Sequence, residues 1–281
     1  MSEKTAELGL DPVGGKADSR AKRRWRLYAE HENAILGILG VAAFLAVWEW
    51  AGTTLENGRL FFSSPSLVAA AFARMMASGE IWNDIWVSFQ EFAIGYAASI
   101  VVAIPLGIGM GWYRRLNALL EPLVSAFYAT PRVALVPLII IWFGIGIYSK
   151  IAVVFLGAFF QILITTIAGV RNLDESLIKA ARSFGANDRQ IFLTVALPGS
   201  VPFILTGLKL AVGRALIGVV VGEMVAAEAG VGYMMTRAGA TFDTSAVMVG
   251  VLIIAAFGVV SMEALERLER RFQAWRPQRV A

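Results

Sequence analysis

The segment that decides the fold reads SKIAVVFLGAFFQILITTIAGV over residues 149–170 and RNLDESLIKAARSFGANDRQIFLTVALP over residues 171–198. The first part is apolar over most of its length, and an α-helix needs about 20 such residues to cross the hydrocarbon core of a bilayer. The second part is polar, is interrupted by Gly and Pro, and precedes another apolar run. The pattern predicts two membrane-spanning helices joined by a long structured loop.

The composition of the whole chain supports a membrane protein. Of 281 residues, 57% are hydrophobic and only 16% are charged, and the mean hydropathy is +0.65. A soluble domain has about 25% charged residues. The absence of Cys excludes disulfides and thiolate metal sites, and a single histidine, His31, is too few for a histidine-based metal site.

Apolar runs of spanning length divide the chain into an all-α membrane protein with six transmembrane helices. We expect a disordered basic tail over residues 1–30, a membrane domain over residues 31–275 and a short tail over residues 276–281. Between the first two spans, residues 66–77 are predicted to form an amphipathic helix near the interface. The predicted spans are about 34–51, 88–112, 118–144, 149–170, 198–222 and 244–262, with the long loop at 171–197.

The distribution of Lys and Arg predicts the orientation, because cytoplasmic loops carry an excess of these residues. With the N-terminus inside, most of the 25 Lys and Arg residues lie in cytoplasmic segments. The external segments then hold only Arg59, Arg74, Lys150 and Arg237. Both termini are therefore expected in the cytoplasm.

The loop after the fourth span contains the signals of a short helix. Asp174 is predicted to cap its N-terminus, Leu177, Ala181 and Phe184 recur at helical spacing on one face, and Gly185 is predicted to end it. Such a helix either rests on the lipid interface or docks a cytoplasmic partner.

Part of this loop follows a known spacing. Lys179-Ala180-Ala181, then Gly185, then Val195-Ala196-Leu197-Pro198, which opens the fifth span, resembles the EAA loop of permease subunits in bacterial ABC importers. The resemblance implies a coupling helix held in a groove of the ATPase subunit. The expected coupling residues are Asp174, Glu175, Leu177, Lys179, Ala180, Ala181, Phe184, Gly185, Leu197 and Pro198.

The chain departs from this family pattern at three positions. Lys179 stands where the family usually has Glu, which reverses a charge, and Val195 stands where it usually has Ile. Glu91 occupies a position where many relatives have Arg. The resemblance covers about residues 60–275 and is to the branch that imports nitrate, sulfonates, taurine, bicarbonate and some pyrimidine precursors.

No nucleotide-binding loop is present in the chain. Gly14-Gly15-Lys16 lacks both the spacing of a phosphate-binding loop and the Ser or Thr that follows it. The chain is therefore not expected to be an enzyme or to need a cofactor. The resemblance implies two ATPase subunits, an external solute-binding protein, a second copy of this permease, and a location in the bacterial inner membrane.

Polar residues within the spans mark a candidate translocation pathway, because ionisable groups there cost about 2.5–3.5 kcal/mol each. Arg132 follows Pro131 in the third span, and Pro137 removes a second backbone donor, so this span is predicted to be broken and to line a cavity. Arg132 either meets an anion or pairs internally, and Arg214 is interpreted in the same way. The candidate pathway residues are Thr130, Pro131, Arg132, Pro137, Gln161, Arg214 and Glu223.

The resemblance to importer permeases implies the permease subunit of an ATP-driven, binding-protein-dependent importer that works by alternating access. Basic groups in the spans favour an anionic cargo. Aliphatic sulfonate or taurine ranks first, and nitrate or bicarbonate second. The alternative is a stand-alone secondary transporter or channel without an ATPase partner, in which the 171–197 loop is only a linker.

Overall fold

In the computed structural model, which describes residues 15–272, every regular element is helical. The helices are α1 Gly15–Thr54, α2 Gly58–Phe61, α3 Pro65–Ser78, α4 Glu80–Trp112, α5 Arg114–Ala129, α6 Val136–Phe143, α7 Ile147–Arg171, α8 Glu175–Ser183, α9 Asp188–Ile191, α10 Leu197–Ala226, α11 Val231–Ala240 and α12 Thr244–Phe272. A 3₁₀ turn, Arg132–Leu135, precedes α6, and a π-helical turn, Phe192–Ala196, precedes α10. The predicted tail over residues 276–281 lies outside the described residues.

The chain divides into two compact units, residues 1–66 and residues 67–281. In the first unit, the indole Nε1 of Trp48 donates to the carbonyl of Phe62 at 3.0 Å. The carboxylate of Glu49 accepts hydrogen bonds from the backbone and side chain of Ser66, at 3.0 and 2.6 Å. Glu49 therefore satisfies a free amide at the start of α3.

The predicted disordered tail is wrong in part. Helix α1 begins at Gly15, so residues 15–30 continue the first span as helix. This stretch is rich in Ala, Arg and Lys, which have high helix propensity, and it needs no new nucleus because it extends an existing helix. Residues 1–14 lie outside the described part.

The membrane-spanning helices agree with the all-α prediction. Within residues 15–272, five helical segments are long and apolar enough to cross a bilayer, and a bent pair raises the count to six. Helix α7 matches the predicted fourth span within two residues, and α3 matches the predicted amphipathic helix. Helix α4 begins at Glu80, so Trp82 and Trp86 belong to the second span and not to the loop before it.

The third predicted span is broken, as expected, between Thr130 and Pro131. Helix α5 and the Arg132–Phe143 segment are bent by 93°. Proline disfavours the helical conformation in the residue before it, and Thr130 is extended with φ −72° and ψ 130°. Pro137 does not interrupt the helix, because it lies in the first turn of α6, where a missing N–H costs no helical hydrogen bond.

The core of the second unit lies where α7 packs between α4 and α10. Ala158, Ile162 and Leu163 of α7 are completely buried, as are Ala211 and Ala215 of α10. Small residues let these helices approach closely, as is common in membrane bundles. This packing sets the frame on which the polar residues described below are arranged.

Candidate functional site

A cavity of about 360 Å³ opens beside the break in the third span. The end of α5, the 3₁₀ turn, α7 and α10 line it. The bend at Pro131 places the residues that follow it beside α7 and α10 instead of further along α5. The broken span therefore lines a cavity, as its two prolines and intramembrane arginine predicted.

Four of the seven predicted pathway residues line this cavity together: Thr130, Pro131, Arg132 and Arg214. The other three, Pro137, Gln161 and Glu223, lie outside its lining. Tyr128 and Gly157, which were not among the predicted pathway residues, also line it. Tyr128 could have been suspected as an amphipathic side chain shortly before the break, whereas Gly157 carried no local signal.

The guanidinium of Arg132 is held by aromatic rings and one carbonyl group. It lies 5.4 Å from the centre of the Tyr128 ring and 5.8 Å from that of Phe160, within the range of cation–π attraction. Its Nη1 donates to the carbonyl of Gly157 at 3.5 Å. Its Nε is buried and has no hydrogen-bond partner among the described residues.

Glu223 belongs to a different polar cluster, near the C-terminal end of α10. Its carboxylate accepts hydrogen bonds from Ser88 Oγ and from the backbone N–H of Gly232, both at 2.6 Å. The backbone N–H of Val231 donates to Ser88 Oγ at 2.8 Å. These bonds satisfy the free amides of the first turn of α11 and join it to α4 and α10. They account for Glu223 without a place in the cavity.

Two further charged residues are buried in this cluster. Glu91 and Lys150 are 1% and 6% exposed, and they interact electrostatically with each other. Lys150, which the charge distribution placed among the external residues, is therefore buried within the protein. Because α7 begins at Ile147, this residue lies within the helix, and its side chain packs beside Gly222 of α10.

Lys209 is also neutralised within the protein. Its Nζ lies 2.5 Å from Glu269 and 3.9 Å from Glu266, both on α12. The ion pair ties α10 to α12 and keeps this cation out of the cavity lining.

The loop predicted to couple to a partner forms the helix α8, as expected. Asp174 caps it, with Oδ1 accepting the backbone N–H of Ser176 at 2.8 Å. At the other end Gly185 has φ +78°, and the N–H groups of Gly185 and Ala186 donate to the carbonyls of Arg182 and Ala181. This is a Schellman motif, which favours glycine at the left-handed position. Both ends of α8 are therefore firmly defined.

The faces of α8 are open to the surroundings. None of its residues is buried, and the side chain of Phe184 directly after it is 92% exposed. Leu177, one turn into the helix, is also exposed. Lys179 forms an ion pair with Glu175 at 3.1 Å, so its charge has a partner within the helix itself.

The fifth span begins earlier than predicted, and Pro198 does not open it. Asn187 and Gln190 form a capping box at the start of α9, which continues through the π-helical turn into α10. The N–H of Leu197 donates to the carbonyl of Phe192, five residues back. In a regular α-helix the ring of Pro198 would clash with a carbonyl group of the preceding turn. The wider π-helical turn makes room for the ring, so the helix continues through Pro198.

We expect the cap at Asp174 to make α8 sensitive to acid. Hydrogen bonds from Ser176 lower the pKa of the Asp174 carboxyl. In the unfolded chain the pKa of Asp is about 3.9, and in the folded helix it is lower. The ionised carboxylate therefore stabilises the helix at pH values above about 3.9, and this stabilisation is lost as the pH falls through the folded pKa. Amide hydrogen exchange across Ser176–Lys179, corrected for its intrinsic pH dependence, should therefore speed up below about pH 4.

The matched control for this prediction is Asp174→Asn, which keeps a capping oxygen that does not titrate. Its acid-induced gain in exchange should be smaller than that of the wild type, whereas Asp174→Ala should exchange faster at every pH. An equal acid response in Asp174→Asn and the wild type would assign the effect to another group.

Comparison with known proteins identifies the family. The sequence profile described as "Binding-protein-dependent transport system inner membrane component" matches residues 103–274. The chain belongs to this family. It is a permease subunit of a binding-protein-dependent importer, and it lies in the inner membrane.

Named relatives of this permease agree with that assignment. It is 32% identical to the taurine transport system permease protein TauC of Escherichia coli over 262 residues, covering 91% of this chain and 94% of the relative. It is 34% identical to the putative aliphatic sulfonates transport permease protein SsuC of Escherichia coli over 233 residues, covering 83% and 89%. These relatives cover the cavity and the α8 loop.

A solved structure supports the fold of the permease. Inward-facing MetNI, a methionine ABC transporter, matches with a TM-score of 0.56 and 18% identity, covering 73% of this chain and 99% of that chain. The likeness confirms the predicted importer permease fold.

Proposed function

We propose that this permease couples ATP hydrolysis by a separate subunit to the import of a small organic sulfonate, with α8 as the ATPase contact. The exposed apolar face of α8, ending at Phe184, carries the proposal. An aromatic side chain that is 92% exposed is best explained by a partner that covers it.

The mechanical argument rests on the two caps of α8. Switching a two-state pathway from 1:99 to 99:1 requires about 5.5 kcal/mol of differential binding. ATP-driven closure of a partner transmits this free energy only through an element that does not deform. The Asp174 cap and the Gly185 Schellman motif make α8 such an element, and the continuous helix from Asp188 to Ala226 leads from it to the cavity.

The unusual Lys179 fits this proposal without a new acidic partner. Because Glu175 pairs with Lys179 one turn away, the helix presents a neutral pair where relatives have a single acidic residue. Both side chains are exposed, and such a pair contributes only about 0.3–0.5 kcal/mol. Contact with the ATPase therefore depends mainly on Leu177, the Ala180-Ala181 pair and Phe184.

The proposed assembly has two copies of this permease, two ATPase subunits and an external solute-binding protein. Both termini and α8 face the cytoplasm, in line with the Lys and Arg distribution. The names of the taurine and aliphatic sulfonate relatives, together with two intramembrane arginines, support a sulfonate as the cargo. Nitrate and bicarbonate, the other anions of this branch, are the next candidates.

A cross-linking experiment tests the ATPase contact directly. The chain contains no Cys, so Phe184→Cys introduces a single thiol at the end of α8. A thiol-reactive cross-linker should join it to the ATPase that copurifies with the tagged permease. Phe242→Cys is the matched control, because Phe242 is also an exposed aromatic residue but follows α11.

Cross-linking from Phe184→Cys with none from Phe242→Cys supports the proposal. Failure of any ATPase to copurify with the wild-type permease, or equal cross-linking from both positions, would contradict it. Cargo is tested separately by uptake of labelled taurine, nitrate and bicarbonate into proteoliposomes that hold the complete transporter.

A further inference from the structure

Two cations on the cavity wall have no anionic partner among the side chains that the structure describes. Arg132 and Arg214 both line the cavity, and neither forms an ion pair with a carboxylate of residues 35–271. Lys209, by contrast, has a carboxylate on α12 within 2.5 Å. Lys209 is thus paired within the protein, whereas the two cavity arginines are not.

The two guanidinium groups also repel each other across this space. Arg132 lies among Tyr128, Phe160 and the buried Gly157, so little water screens it on its protein side. A cation within a membrane-spanning segment normally pairs with an anion or a carbonyl group. Arg132 has one long bond to the Gly157 carbonyl, and its Nε remains without a partner.

An unsatisfied buried donor beside an open cavity indicates a missing acceptor. The cavity of about 360 Å³ lies within the range of about 300–1,000 Å³ that small-molecule sites occupy. Aromatic and apolar groups form much of its wall, and the two guanidinium groups supply its charged donors. Planar guanidinium groups bind the oxygens of an oxyanion with two parallel hydrogen bonds.

We propose that this cavity is a binding site within the membrane for the sulfonate group of the cargo, which Arg132 and Arg214 hold between them. The inference rests on the proposed import of an organic sulfonate. The three sulfonate oxygens accept hydrogen bonds from both guanidinium groups, including the free Nε of Arg132. Tyr128 and Phe160 act as positioning residues that keep the Arg132 guanidinium at the cavity wall.

The test measures binding to the complete permease–ATPase complex in phosphatidylcholine nanodiscs, without the external binding protein and without ATP. The probe is methanesulfonate, and dimethyl sulfone is the uncharged control of similar shape. We expect saturable calorimetric binding of methanesulfonate and none of dimethyl sulfone. Arg132→Gln and Arg214→Gln should each weaken binding at least tenfold, whereas Arg59→Gln, an exposed arginine outside the cavity, should leave it unchanged.

Folding of the variants is checked by size-exclusion chromatography and by thermal unfolding. Arg132→Lys serves as the second variant, because it keeps the charge and loses the planar donor pair, and it should bind with intermediate affinity. Methanesulfonate should raise the unfolding temperature of the wild type, with a smaller rise in both Gln variants. Tyr128→Ala should weaken binding, and Tyr128→Phe should restore most of it, because the cation–π contact with Arg132 is made by the ring.

Several outcomes would overturn the inference. One is no methanesulfonate binding, and another is binding that both Gln variants retain in full. In a third, native mass spectrometry finds an anionic phospholipid that copurifies with the wild type and is lost in the Gln variants. The anion held by the two arginines would then be a lipid headgroup. If the ATPase copurifies with the permease but methanesulfonate does not bind, only this site is refuted. If the ATPase does not copurify, the proposed function is refuted.

Discussion

Gly185→Val is expected to reduce ATP-dependent uptake about tenfold while leaving the permease inserted in the membrane. Gly185 has φ +78°, in the left-handed region that a β-branched residue adopts only at a cost of about 1–2 kcal/mol or more. A cost of 1.4 kcal/mol corresponds to a factor of ten in the population of the native end of α8. Valine also disrupts the two Schellman hydrogen bonds that close the helix.

The matched control is Gly185→Asn, because asparagine tolerates the left-handed conformation at this position. It should retain most of the uptake. Proteoliposomes with the ATPase and the binding protein give the uptake rate, and binding-protein-stimulated ATP hydrolysis gives the coupling. Equal activity of the Val and Asn variants, at equal expression, would show that the end of α8 need not keep its native geometry.

The second large effect is expected from Gly107→Val, which should destabilise the bundle itself. A Cβ atom at Gly107 would lie 2.7 Å from Cβ of Thr166, closer than packed side chains allow. Helices α4 and α7 would have to separate, and overpacking of this kind costs about 1–3 kcal/mol. The unfolding temperature in detergent should fall by several degrees, and less folded permease should be recovered.

Gly213→Val on α10 is the control for helix propensity and volume. A Cβ atom at Gly213 would meet no atom within 4 Å among the described residues. Its unfolding temperature should stay near that of the wild type. A similar fall in both variants would indicate that valine is poorly tolerated in these helices for reasons other than the α4–α7 contact.

Local chemistry made much of the coupling loop predictable. The cap at Asp174 and the end at Gly185 depend on residues within one or two turns of each other, and the structure contains both. The start of the fifth span was missed because Pro198 usually opens a helix. A π-helical turn, which has no reliable sequence signal, carries the helix past it.

Charged residues within the helices were harder to place. Sequence analysis marked Arg132, Arg214 and Glu223 as unusual because each costs free energy in lipid. It assigned all three to one pathway, and the structure separates Glu223 into the cluster that holds α11. Which cation meets which partner depends on the rotation of each helix about its axis, and that rotation is set by packing.

The amino-acid sequence by itself determined the membrane class, the number of spans, the break at Pro131 and the capped helix Asp174–Gly185. These features follow from hydrophobic length, from the backbone limits of proline and glycine, and from hydrogen bonds between near neighbours. Only the tertiary structure decided that Arg132 and Arg214 share one cavity and that Lys150 is buried beside α10. Those pairings join residues far apart in the chain, and the close packing of α4, α7 and α10 brings them together.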